Sequence, residues 1–338
     1  MIVAKSINDL RDAVAESVVT IGNFDGVHLG HQKLIGMTCA KAKARGAISV
    51  VVTFDPHPMR VLVGAQTPPF ITLTDQKLEL IESQGPNATL VIHFTRELAA
   101  LSPEEFVKTY LVDGLNVREL VIGYDYHMGK GRSGDFATLS ALGRKYGFDV
   151  FRLDPVTCEG AVVSSTRIRD LVQAGEVWEA RPLLSRFYQV AGEVVHGMDR
   201  GGKLLGFPTA NLKLVDELVP KRGVYAIWVE LDGHFLPAVA NIGTNPTFGN
   251  DAVSVEAHIL DFKGDIYGRR IRVHFVQRLR DERKFSGLDE LKARIAEDVH
   301  LARAILSAPE AQPALPATCP GSAHNRGQAP EDPAENNA

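Results

Sequence analysis

Apolar positions fall in unbroken runs through the first half of the chain and in looser, strand-like patterns through the second. The runs at 17–21 (SVVTI), 48–54 (ISVVVTF), 89–94 (TLVIHF), 119–124 (ELVIGY) and 149–153 (DVFRL) are continuous, as in strands covered on both faces. Between them lie helix candidates near 31–45, 75–84, 102–112 and 134–146. This order predicts an α/β domain with a parallel sheet. Beyond residue 187 come 188–197 (YQVAGEVVHG), 223–231 (GVYAIWVEL), 234–243 (HFLPAVANIG), 252–262 (AVSVEAHILDF) and 270–279 (RIRVHFVQRL), separated by turn residues. They predict a small antiparallel barrel or sandwich. One closing helix places Leu288, Leu291, Ile295, Val299, Ala302 and Ile305 on a single face. Residues 165–186 supply one or two helices with a turn at Gly175. The expected division is 1–186, 187–306 and a Pro/Ala-rich tail, 307–338, too poor in large apolar residues to order itself.

Composition narrows the class. The chain has 338 residues, 45% of them apolar and 23% charged, as in a soluble two-domain protein. A net charge of −4 argues against a general nucleic-acid binder. Cys39, Cys158 and Cys319 are far apart, with no metal or redox spacing, and fit a reducing cytosol. The first residues lack a signal pattern, and no apolar run nears the roughly 18 residues of a membrane span. The expectation is a cytoplasmic protein acting on small molecules, monomeric or weakly homo-oligomeric, with no nucleic-acid or membrane partner.

Two stretches carry the chemistry. Gly22-Asn23-Phe24-Asp25-Gly26-Val27-His28-Leu29-Gly30-His31 lies where the first long strand ends and a helix begins. Ligands of parallel sheets bind outside the carboxyl ends of strands. Gly22, Gly26 and Gly30 let backbone approach a ligand, and the helix start offers free N–H groups to an anion. His28 and His31 can donate to phosphate oxygens. The stretch therefore predicts a nucleotide phosphate site.

The second stretch runs from His196 to Asn211. Gly197 to Lys203 reads GxxxxGK, but Leu204 stands where a Walker A loop needs Ser or Thr, and no βαβ unit follows. A P-loop NTPase is excluded; a glycine-rich loop over ATP phosphates remains. Thr209 and Asn211 alternate on an extended segment, so their oxygens share a face and can meet one Mg²⁺. Glu256 and His258 alternate likewise on a later strand.

The resemblance rests on several motifs together. GNFDGVHLGHQ, TFDPHP at 53–58 and SSTRIR at 164–169 resemble the N-terminal domain of bacterial bifunctional riboflavin kinase/FAD synthetases. GFPTAN at 206–211, NIGTNPTFG at 241–249, VEAHILDF at 255–262 and RDERKF at 280–285 resemble their kinase domain. The likeness covers about 15–306. It implies a Rossmann-like nucleotidylyltransferase domain and an antiparallel β-barrel kinase domain. His28 and His31 would hold ATP phosphates and steady the charge that develops on them. Gly22, Phe24, Asp25, Gly30, Asp125, Ser164, Ser165, Thr166 and Arg169 would complete that ATP site, with His57 near the flavin. In the kinase, Gly197, Gly201, Gly202, Lys203, Gly206 and Asn241 would bind ATP, Thr209 and Asn211 the metal, and Arg280 and Glu282 would line the flavin pocket. Glu256 would be the base for the riboflavin 5′-hydroxyl. In Asp125-Tyr126-His127-Met128-Gly129, Met128 replaces the family's usual Phe.

The implied reactions are riboflavin to FMN and FMN to FAD, each with ATP and Mg²⁺. Two alternatives stand beside them. One is a riboflavin kinase with an impaired or altered adenylyltransferase domain; the other is a flavin-binding regulator, opposed by the presence of Thr209, Asn211 and Glu256.

Overall fold

A computed structural model describes residues 1–10, 14–196, 207–244 and 253–313. The N-terminal sheet has six strands: β1 (Ile2–Ala4), β2 (Ser17–Ile21), β3 (Ile48–Asp55), β4 (Ala88–His93), β5 (Val117–Gly123) and β6 (Asp149–Leu153). All neighbours are parallel, in the order β1-β4-β3-β2-β5-β6. β2 is buried along its whole length, which is why its sequence shows no alternation. β1 was not anticipated: three residues, two of them exposed, are too few for a periodicity.

The helices are α1 (Leu29–Arg45), α2 (Pro58–Val63), α3 (Thr74–Glu82), α4 (Arg96–Ala100), α5 (Pro103–Phe106), α6 (Phe136–Tyr146), α7 (Ser165–Ala174) and α8 (Val177–Leu184). The single helix expected near 102–112 is α5 followed by a π-helical stretch, Val107–Val112. α2 and α4 were missed because five or six residues carry too little of a 3.6 period. Gly175 separates α7 from α8 at φ +87°, as the turn expected there requires.

The second half closes into a six-stranded barrel rather than a sandwich, in the order β10-β13-β12-β11-β14-β9. Its strands are β9 (Tyr188–Val195), β10 (Ala210–Lys213), β11 (Gly223–Leu231), β12 (His234–Thr244), β13 (Val253–Ile259) and β14 (Arg270–Arg280). Two further two-residue strands, β7 (Thr157–Cys158) and β8 (Ala161–Val162), form a small hairpin. Buried side chains of α7 and α8 belong to one apolar cluster with the barrel interior, including Tyr225, Val255 and Phe275.

The closing helix is α9 (Leu288–Ser307), which buries Asp298, Ala302 and Leu306, while Leu288 is 53% exposed and lies off the covered face. Order also continues past residue 306, contrary to the expected start of a disordered tail. A 3₁₀ turn, Pro309–Ala311, packs Ala311 into the α9 cluster, and the Trp228 indole donates to the Ala311 carbonyl at 2.7 Å. A small side chain and one hydrogen bond suffice where large apolar residues were sought. Cys39 is a free thiol, and Cys158 is 1% exposed.

Candidate active sites

The sheet order reverses direction between β2 and β5, and a cavity of about 820 Å³ opens at their carboxyl ends. It is lined by Gly22, Phe24, Asp25, His28, Gly30, His31, His57, Asp125, Ser164, Ser165, Thr166 and Arg169, so every adenylyl-site residue expected from the sequence reaches one space. The turn that leads there is unusual. Phe24 and Val27 have φ +52° and +39°, left-handed values that are rare for residues with large side chains.

His28 caps α1, its Nδ1 accepting the His31 backbone N–H at 3.4 Å. That makes Nε2 the protonated nitrogen of the neutral ring. Its imidazole stacks on that of His31 with centroids 3.7 Å apart. Phe24 meets His31 edge-on at 5.1 Å. Gly30 explains the spacing of the motif: a Cβ there would lie 3.1 Å from the His28 ring. Burial pulls His28 down to about 4, with the Arg186 guanidinium adding to the effect. Burial likewise holds His31 well below the usual range, and its Nδ1 has no partner among the described residues.

Buried Asp25 and half-buried Arg169 form an ion pair, Arg169 Nη2 donating to Asp25 Oδ2. Asp25 Oδ1 also accepts from the Thr72 backbone N–H at 3.1 Å. Arg169, expected to grip phosphate, is thus also a structural partner of the loop. Ser164 caps α7 by accepting the Arg167 N–H at 3.2 Å, and Ser165 Oγ donates to the Asp25 carbonyl at 3.0 Å. Thr166 and Asp125 stand exposed at the cavity wall. His57 caps α2 through Nδ1 and is lowered to about 4, chiefly by burial.

Two contributors, Thr72 and Lys77, were not singled out in the sequence, and Tyr126 of the 125–129 stretch joins them. Thr72 holds Asp25, as described. Lys77 of α3 is 4% exposed, and its Nζ donates to the Phe54 carbonyl at 3.0 Å. Burial lowers its ammonium to about 8, with Asp25 and Asp55 opposing the shift. Tyr126 lines the cavity, and burial raises its phenol. No motif reveals Lys77, because a lysine in TDQKLELIE reads as a solvated helix face. Met128, in place of the usual Phe, is 9% exposed and packs in the cluster that contains Phe106 and Leu139. It fills an apolar gap as Phe would.

In the barrel, Glu256 of β13 faces Asn211 of β10 on one side and Asn241 of β12 on the other. Cross-strand partners project to the same face, so these three polar side chains form one row. Asn211 is 4% exposed. Thr209 lies two residues before it, at the entry to β10. Asn241 Nδ2 reaches Glu282 Oε1 at 3.5 Å, joining Glu282 to the row. His258 Nδ1 lies 2.8 Å from the Pro208 carbonyl.

Arg280, the last residue of β14, carries an ion pair. It forms a bidentate pair with buried Asp298 of α9, Nε–Oδ1 2.9 Å and Nη2–Oδ2 2.7 Å, which occupies the guanidinium expected at the flavin. Gly197, Gly201, Gly202, Lys203, Gly206 and the 245–249 part of the NxGxxPTFG stretch lie outside the described residues. Among the described residues no helix is long and apolar enough to cross a membrane, and no group of three or more His, Cys, Asp or Glu could hold a metal ion.

Comparison with known proteins agrees with both halves. The FAD synthetase family matches residues 11–167 and the riboflavin kinase family residues 184–306. A bifunctional riboflavin kinase/FMN adenylyltransferase of Pseudomonas fluorescens is 41% identical over 92% of this chain and 99% of its own. That of Escherichia coli strain K12 is 39% identical over 88% and 96%, and that of Bacillus subtilis 38% identical over 86% and 92%. A crystal structure from Streptococcus pneumoniae, described as a macrolide-efflux protein, superposes with a TM-score of 0.79 at 31% identity over 89% of this chain and 98% of that one. With both family matches and full-length relatives in agreement, the chain belongs to the bifunctional riboflavin kinase/FMN adenylyltransferase family.

Proposed function

We propose that this chain phosphorylates riboflavin to FMN in the barrel and adenylylates FMN to FAD in the α/β domain, each step using ATP. The observation that carries the reading is the presence of two separate polar sites in one chain. One is the stacked His28–His31 pair at the start of α1; the other is the Asn211–Glu256–Asn241 row across β10, β13 and β12.

In the α/β domain, an FMN phosphate oxygen attacks the ATP α-phosphorus and pyrophosphate leaves. No covalent enzyme intermediate is needed, so the protein acts by positioning and charge stabilisation. His28 and His31 donate to phosphate oxygens, and the free N–H groups at the start of α1 assist. Ser164, Thr166 and Arg169 close the opposite wall. The apolar lip, in which Phe54 and Phe94 meet edge-on at 5.5 Å with Met59 and Leu62 alongside, suits an isoalloxazine ring near His57.

In the barrel, Glu256 takes the proton of the riboflavin 5′-hydroxyl as it attacks the ATP γ-phosphorus, the bond from that phosphorus to the β,γ-bridging oxygen breaks and ADP leaves. Thr209 and Asn211 offer neutral oxygens, a donor set that suits Mg²⁺ shared with substrate phosphates. When bound, Mg²⁺ neutralises phosphate charge. Gly197 to Gly206 would cover the ATP phosphates, and Arg280 and Glu282 stay at the flavin side of this reading. The enzyme would act in the cytoplasm, as a monomer or weak homo-oligomer, without nucleic-acid or membrane partners. The kinase-only alternative loses its main support, since Met128 fills the apolar position expected of Phe.

The test is flavin chromatography after incubation with ATP and Mg²⁺, starting in parallel from riboflavin and from FMN. FMN followed by FAD from the first, and FAD from the second, is expected. Glu256→Gln should abolish FMN formation and spare FMN-to-FAD conversion; His31→Ala should do the reverse. Loss of both activities in either folded variant would overturn this division.

A further inference from the structure

Three successive carbonyls of the His28 loop accept side-chain hydrogen bonds. Ser165 Oγ donates to Asp25 O at 3.0 Å, Arg186 Nη2 to Gly26 O at 2.9 Å and Gln32 Nε2 to Val27 O at 2.9 Å. Two of these three donors are tied to one place. Arg186 Nη1 also donates to the Leu184 carbonyl at 3.1 Å, and Gln32 Nε2 to that same carbonyl at 3.0 Å. Ser185 Oγ donates to Gln32 Oε1 at 3.1 Å, with Ser185 itself left-handed at φ +58°. This elbow at 184–186 leads directly into β9, the first barrel strand.

The loop needs such support. Phe24 and Val27 occupy a left-handed backbone region that is strained for side-chain-bearing residues and persists only when its surroundings impose it. From the same turn His28 and His31 enter the cavity.

We infer that Arg186 is a positioning residue for adenylyl transfer: it clamps the turn that aims His28 and His31, although it belongs to the segment matched by the riboflavin kinase family. The adenylyl site is therefore completed by the entry to the kinase barrel. Arg186 does not line the cavity, so its action runs through the loop and not through contact with ATP. The inference rests on the functional reading above.

The test compares full-length Arg186→Met and Arg186→Lys with wild type, assaying both activities. In the Met variant, kcat for FMN to FAD should fall roughly 10- to 100-fold, the cost of misplacing reacting groups by about an ångström. The KM for ATP should stay within about threefold, since a misaimed but intact pocket still binds. Riboflavin phosphorylation should be unchanged, and Arg186→Lys, which keeps a donor and the charge, should recover part of the lost kcat. FAD formation near the wild-type rate in the Met variant would overturn the inference. So would equal loss of both activities with no recovery in the Lys variant. Should Arg186→Met fail to fold, Gln32→Met removes the other shared donor and must show the same selective loss; normal FAD formation there would overturn the inference as well. A wild-type protein that makes no FAD would instead overturn the functional reading, and the inference with it.

Discussion

The imidazoles of His28 and His31 stack at the first turn of α1, with centroids 3.7 Å apart and planes inclined by 17°. Burial keeps both rings in the neutral form, because an imidazolium there would lack the water that solvates its charge.

That arrangement sets an acid limit on stability. His28 and His57 fall from the ordinary 6.5 to about 4, and His31 falls well below 6.5, burial being the first cause of each. Below 6.5 the unfolded chain therefore binds more protons than the folded one, and the contribution present above that value is lost as pH drops toward 4. For His28 alone this is roughly 3 kcal/mol. Urea midpoints should be level from pH 7 to 8 and fall between about 6.5 and 4. A level midpoint down to pH 5 would show that these imidazoles are hydrated.

Lys77, which shares an adjoining cavity with Asp25 and His57, should set an opposite limit on activity. Its ammonium, lowered to about 8, is the charged form below that pH and neutral above it. An anionic substrate gains from the charged form, so kcat/KM for ATP in FAD formation should decline as pH rises through about 8, while riboflavin phosphorylation shows no such limb. Lys77→Arg should remove the decline, because a guanidinium keeps its charge.

The Arg280–Asp298 pair joins β14 to α9 with Asp298 3% exposed. Asp298→Ala leaves a buried guanidinium uncompensated and should cost about 3 kcal/mol, read as a lower urea midpoint. If Arg280 serves mainly to hold α9, the KM for riboflavin should change little in the protein that remains folded. A large rise in KM would return Arg280 to the flavin pocket.

The turn beyond α9 should matter as well. A chain ending at residue 307 loses the Ala311 carbonyl that the Trp228 indole donates to, and Ala311 itself from the cluster. It should melt several degrees lower with red-shifted tryptophan emission, by the size expected of about 1 kcal/mol in a domain of this length. A chain ending at residue 313 should match wild type in both readouts.

Local pattern was enough for the long elements. The continuous run at 17–21 and the largely apolar GVYAIWVEL returned as β2 and β11 with their expected bounds, because strands buried on both faces are written into the residues themselves. The glycine spacing of the His28 loop was legible as room for a ligand, and the structure adds a second reason at Gly30, where a Cβ would crowd the ring two residues away.

What the tertiary structure alone decided depends on distant partners. The sequence shows Arg169 as a motif residue but not that it pairs with Asp25, 144 positions away. It shows Arg280 beside a conspicuous run of charge but not that Asp298 claims it. Lys77 and Arg186 look like ordinary surface cations until burial and an adjacent loop give them partners. The elements and the motif chemistry were thus set along the chain, where spacing and side-chain type act over a few residues. Which charges are paired, and which strained turn is clamped, was settled only when segments far apart in sequence excluded water from between them, since desolvation turns a solvated side chain into a structural one.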